Sequence, residues 1–117
     1  MIRNIYILLL LSLSFGQFQP ETTEELQTAV DLWVSDNATA LSTYGEINTW
    51  DVSLIDDMSE LFFDNTWSGF YDDFNDDIGN WDVSGVTYMS DMFDGANALS
   101  DENKCAILPC PHKLDQS

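Results

Sequence analysis

The chain has 117 residues, enough for one domain, with 21 Asp and Glu against 3 Lys and Arg and a formal net charge of -18. That balance excludes a nucleic-acid binder, because Arg3, Lys104 and Lys113 cannot build a phosphate-binding face, and it disfavours docking on anionic lipid headgroups. Hydrophobic residues nonetheless make up 44% and aromatics 13%, too much apolar material for a disordered acidic tail.

Residues 1–16 read as a secretory signal peptide. Arg3 precedes an uninterrupted apolar run from Ile5 to Phe15, too short to span a membrane and of the right length for a signal core, with small Ser14 and Gly16 behind it. Export implies an oxidising compartment and no transmembrane segment in the mature chain. The two cysteines, Cys105 and Cys110, either pair locally or remain thiols; a zinc site with His112 has three close-spaced ligands and lacks a fourth.

Residues 17–43 are read as an N-terminal capping region. Thr22 and Glu25 have capping-box spacing, Glu24 and Glu25 suit the positive end of a helix dipole, and Leu26, Ala29, Val30 and Trp33 recur at helical steps. The spacing predicts a helix over 23–36 that stops at Asn37, whose Asn37-Ala-Thr39 sequence also matches a glycosylation acceptor.

Residues 44–99 carry an internal repeat. Segments 47–62 and 78–93 superpose at an offset of 31 with 8 of 16 positions identical: Ile47/Ile78, Trp50/Trp81, Asp51/Asp82, Val52/Val83, Ser53/Ser84, Met58/Met89, Ser59/Ser90 and Phe62/Phe93. The apolar positions fall at steps of two or three, which fits short extended pieces divided by turns held by Asp, Asn and Ser side chains. One unit cannot bury its own apolar edge; stacked copies lay Trp over Trp and Met over Met.

The pattern Trp-Asp-Val-Ser-x-Val-Thr-x-Met-Ser-x-Met-Phe, clearest over Phe74–Ala96, resembles the repeat of BspA-like leucine-rich-repeat surface proteins, also described as the DUF285 or mycoplasma-type lipoprotein repeat. The resemblance implies an α/β repeat fold, a short leucine-rich-type solenoid of about two units under the N-terminal capping helix. It implies a secreted or surface-attached protein with a binding or adhesive role and no catalytic residues to carry over. Such units recur at about 25 residues, so the first unit here holds an insertion between Phe62 and Phe74, expected to bulge with Trp67, Phe70 and Tyr71. A third unit starts at Leu99 and fails where Ala106 stands in place of a tryptophan, leaving 100–117 as an irregular or truncated tail.

Calcium is a tempting reading of Asp73-x-Asn75-x-Asp77, but an EF-hand loop beginning at Asp73 requires Gly and Glu where the chain has Ile78 and Ser84; a looser site among Asp72, Asp73, Asp76 and Asp77 competes with a solvated acidic corner. Carboxylates are so abundant that their pairing says nothing about catalysis, and the single histidine, His112, lies in the tail. No catalytic, cofactor-binding or metal-binding residue is assigned, and no enzyme activity is expected. The expectation is a secreted or cell-surface, non-catalytic module that binds an extracellular protein or glycan. Its competitors are a structural fragment of a larger surface adhesin and a calcium-dependent surface protein.

Overall fold

The computed structural model of the chain describes residues 17–64, 66 and 68–108. The expected signal peptide, Trp67, Cys110 and His112 lie outside them.

Helix α1 (Thr23–Ser35) forms where the periodicity puts it. The Thr22 hydroxyl accepts from the Glu25 amide at 3.1 Å, and the Glu25 carboxylate accepts in return from the Glu21 amide at 2.7 Å, so one amide left over at the helix start and one just before the cap are satisfied locally. Replacing Thr22 by Ala removes one of these bonds and should cost about 1 kcal/mol, read as a lower urea midpoint at unchanged slope. The face of Leu26, Ala29, Val30 and Trp33 is buried. Asn37 does not stop the helical region. Asp36 caps a second helix, α2 (Asn37–Tyr44), by accepting from the amide and the hydroxyl of Thr39 at 3.3 and 2.7 Å. Only Ala40 of α2 is buried, which is why no amphipathic period betrays it.

The expected α/β leucine-rich solenoid does not form. Among the described residues there are three α-helices (α3 being Asp101–Cys105), one 3₁₀ turn over Ile47–Thr49, and no strand; a single isolated parallel bridge, Asp57 to Tyr88, is all the β-structure present. The reason is local. Each unit is a succession of tight turns closed by backbone bonds three residues apart: Ile55 to Val52 and Leu61 to Met58 in the first, Val86 to Val83 and Met92 to Met89 in the second. Glu60 and Asp91, equivalent in the repeat, both take left-handed backbone with φ of 61° and 57°. An extended run interrupted this often has no length in which to become a strand.

The two units still stack in register. The amides of Met58, Glu60 and Phe62 donate to the carbonyls of Tyr88, Ser90 and Met92 at 2.8–2.9 Å, and the Thr87 amide donates back to Asp56 at 2.8 Å. Trp50 lies over Trp81 with ring centres 6.3 Å apart and planes 19° apart, and Phe62 lies over Phe93 at 5.5 Å and 24°. Both indole N–H groups are satisfied, Trp50 by the Gly45 carbonyl at 3.0 Å and Trp81 by the Ile47 carbonyl at 2.8 Å.

The side of the first unit away from the second is covered by α1 and by residues 17–19. Thr23 and Gln27 of α1 donate to the carbonyls of Asp57 and Leu61 at 2.9 Å, and Trp33 meets Trp50 edge to face at 5.9 Å. The Asp51 amide donates to the Phe18 carbonyl at 2.9 Å and the Gln17 amide group to Thr49 at 2.8 Å, while the Phe18 ring sits against Trp50 at 5.3 Å. Phe18 therefore packs edge-on against Trp50, at 84°, where Trp81 stacks on it at 19°, and nothing in the repeat pattern identifies Phe18.

Beyond the insertion the spacing of bonded partners shortens to the expected value. Asn97 donates to Asp72, and the Ser100 amide to Asn75, each across 25 residues. Gly95 sits where the second unit passes the start of the insertion. Its amide donates to Phe62 at 2.9 Å, and an added Cβ would lie 2.6 Å from the Phe62 carbonyl oxygen and 2.7 Å from the Asp64 nitrogen. Backbone cannot yield as a flexible side chain can, so Gly95→Ala should cost about 1–3 kcal/mol, measurable by thermal or urea melting.

Candidate binding surfaces

Three surfaces are candidates. The first is the row of turn corners. Asp51 and Asp82 each use one carboxylate oxygen to hold both the hydroxyl and the amide of the serine two residues on, at 2.6 and 3.0 Å for Ser53 and 2.7 and 3.1 Å for Ser84. The Asn48 side chain accepts from the Asn80 amide at 2.9 Å, and Gln19 reaches Asp51 at 2.8 Å. Stacking thus repeats one corner geometry along a surface hollow of about 390 Å³ bordered by Gln17, Asn48, Asp51, Asn80 and Asp82. Turns at these positions are expected from the sequence, and the structure gives the carboxylates a structural task first.

The serine hydroxyls and then the serine amides hold the Asp51 and Asp82 carboxyls below the ordinary value of 3.8, and the Ser59 amide does the same for Asp57. A carboxyl lowered on folding contributes stability above its unfolded value and loses that contribution as pH falls through its folded value. The chain should therefore lose corner stability below about pH 4. Above that range, protonation only relieves repulsion among the excess carboxylates. The double substitution Asp51→Asn and Asp82→Asn keeps an acceptor oxygen without the titration, so its melting temperature should fall less steeply with acid. Parallel curves would show that the corners do not set the acid response.

The second surface is the insertion. Asp64 organises it, accepting from the Thr66 hydroxyl at 2.6 Å, from the Thr66, Gly69 and Phe70 amides at 2.7–3.0 Å, and from the Ser68 hydroxyl at 3.0 Å. Those donors, the Thr66 hydroxyl foremost, hold its carboxyl far below the usual range. The expected aromatic bulge is only partly formed. Phe70 is 40% exposed, but Tyr71 turns inward against Phe62 and is 6% exposed. Its hydroxyl donates to Asp31 of α1 at 2.6 Å and accepts from Gln27 at 3.1 Å; burial and the neighbouring Asp31 push the phenol well above its ordinary value. Those partners lie some forty residues away, so no local signal could show that Tyr71 is a core residue.

The acidic residues of the candidate calcium site do not converge. Asp76 accepts from the Trp33 indole at 2.7 Å, Asp77 from the Gly79 amide at 2.8 Å, and Asp72 from Asn97 at 2.6 Å. Among the described residues no group of three or more His, Cys, Asp or Glu is placed to hold a metal ion. Cys105 is disulfide-bonded and so offers no thiolate to zinc.

The third surface is the far end of the stack. Val52, Ile55 and Met58 of the first unit are 0–2% exposed, whereas their counterparts Val83, Val86 and Met89 are only half-buried. They line an open hollow of about 560 Å³ with Thr87, Ile107 and Leu108. Sequence alone makes the two units equivalent; their place in the stack makes them differ.

These observations define a protein of turn-built repeats, stacked in register beneath a helical cap. The chain belongs to the family described as "Mycoplasma protein of unknown function, DUF285", whose model matches residues 21–105 and so takes in α1 as well as both units. The leucine-rich-repeat part of the resemblance has no such support. No curated protein and no solved structure matches the chain. Among the described residues no helix is long and apolar enough to cross a membrane.

Proposed function

We propose that the chain is an exported, non-catalytic binding module that recognises a protein or glycan at or outside the cell surface. The observation that carries this reading is the division of labour in the stack. Apolar residues of both units and α1 form one continuous core, no polar or charged residue among those described is buried, and the carboxylates and amides of the corners stand outward at fixed spacing. A rigid row of acceptors on a strongly acidic surface suits cationic or hydroxyl-rich partners. The apolar run over residues 5–15 supports export.

The test is a binding screen of the mature chain against glycan arrays and basic extracellular proteins, repeated with Asp51→Asn and Asp82→Asn. Binders whose affinity drops in the double variant and falls with salt support the reading. A screen without binders, or binders indifferent to both changes, sinks it. The half-buried second unit favours one other reading, a structural segment of a larger repeat array with no ligand of its own; a screen without binders is the outcome that reading expects.

A further inference from the structure

The uncovered end of the second unit has a donor pattern as well as an apolar face. In the first unit the amides of Met58, Glu60 and Phe62 donate outward to the next rung, and the Asp56 and Phe62 carbonyls accept from it; the counterpart of the Phe62 carbonyl, that of Phe93, is taken by the Ala96 amide. The other equivalent groups of the second unit are the amides of Met89, Asp91 and Phe93 and the carbonyl of Thr87. Among the described residues none of these four has a hydrogen-bond partner. They border Val83, Val86 and Met89, the apolar residues that in the first unit are covered by the second. Among the described residues that follow, Ser100 caps α3, Ala106 lies beside Gly79 at one side of the face, and Ile107 and Leu108 border the hollow without bonding to any of these four groups.

We infer that this end docks an extended segment of another polypeptide, laid parallel to residues 87–93, supplying backbone carbonyls at three alternate residues and apolar side chains over Val86 and Met89. The first unit shows the geometry, because its equivalent edge is occupied in that way by residues 87–92. Two features choose the occupant. Three outward donors against one acceptor cannot pair with the same edge of a second copy, which would set donor against donor. The rim carries Asp82, Asp91 and Asp94, all exposed, so a partner with Lys or Arg flanking its apolar residues is attracted and another copy of this acidic chain is repelled. The inference rests on the binding-module reading but uses a different face from the corners, so each can fail without the other.

The experiment uses the mature chain, isotopically labelled, and a synthetic peptide with the residue order of 85–93 between lysine pairs, beside a scrambled peptide of the same composition. The ordered peptide should slow amide exchange at Met89, Asp91 and Phe93 by about tenfold or more at saturation. It should bind at least about tenfold more tightly than the scrambled one. Val86→Asp should weaken it by a similar factor while the exposed Leu54→Asp leaves it unchanged. Equal binding of both peptides would reduce the attraction to charge and overturn the inference, as would binding without protection of those three amides. Sedimentation showing a dimer of the chain alone that protects them would overturn it too, by making a second copy the occupant. The peptide comparison decides the matter even if Val86→Asp fails to fold.

Discussion

Trp50→Ala should remove about 3–5 kcal/mol of folding free energy. The indole is 2% exposed and touches four other aromatic rings: Phe18 at 5.3 Å, Trp33 at 5.9 Å, Tyr44 at 5.7 Å and Trp81 at 6.3 Å. These come from the leading segment, from both cap helices and from the second unit, so one side chain joins all four to the first unit. Truncation leaves a cavity that four separate elements would have to move to fill, and it orphans the Gly45 carbonyl. Domains of this size hold about 5–15 kcal/mol in all, so the variant should be marginal at room temperature. Urea unfolding followed by far-ultraviolet signal measures the loss. A change below about 1 kcal/mol would mean that Trp50 is not the junction of the fold.

The second large effect is a contrast between identical residues. Met58→Ala should cost about 2–5 kcal/mol and Met89→Ala about 1 kcal/mol or less. The two methionines occupy the same repeat position, but Met58 is fully buried between α1 and the second unit, whereas Met89 has one side open. The side chain and the removed atoms are the same in both, so the difference isolates the layer that covers one and not the other. Equal losses would mean that the far end is closed by something else in solution.

These contrasts mark what the sequence could convey. The offset between units was legible because Trp50/Trp81, Met58/Met89 and Phe62/Phe93 recur as a set, and the stacking of the tryptophans and phenylalanines follows from it. Helix α1 was legible because its cap and its apolar stripe agree. The α/β solenoid was expected from the family resemblance, whereas the apolar steps of two or three pointed only to short extended pieces divided by turns; the bonds from Ile55 to Val52 and from Val86 to Val83 show that the turns leave no strand between them. Helix α2 escaped notice because one buried alanine makes no pattern. Phe18 and Tyr71 were illegible for a different reason: each is fixed by partners thirty to forty-four residues away, Phe18 by Asp51 and Trp50, Tyr71 by Asp31 and Gln27. Of the candidate surfaces, the corners could be read from Asp-x-Ser, while the open end depends on how many layers lie above a residue, a property of position that repeat identity conceals.

The near-parallel indoles of Trp50 and Trp81 have an optical consequence. Two identical chromophores held a few ångströms apart in a fixed chiral arrangement share their excitation and give a paired positive and negative band in circular dichroism. The sign and size of that couplet depend on the mutual orientation of the rings. Because Trp33 of α1 also couples to Trp50, the couplet gauges the alignment of the helical cap and both repeats together, and comparison with Trp33→Phe separates the share that reports slippage between the repeats.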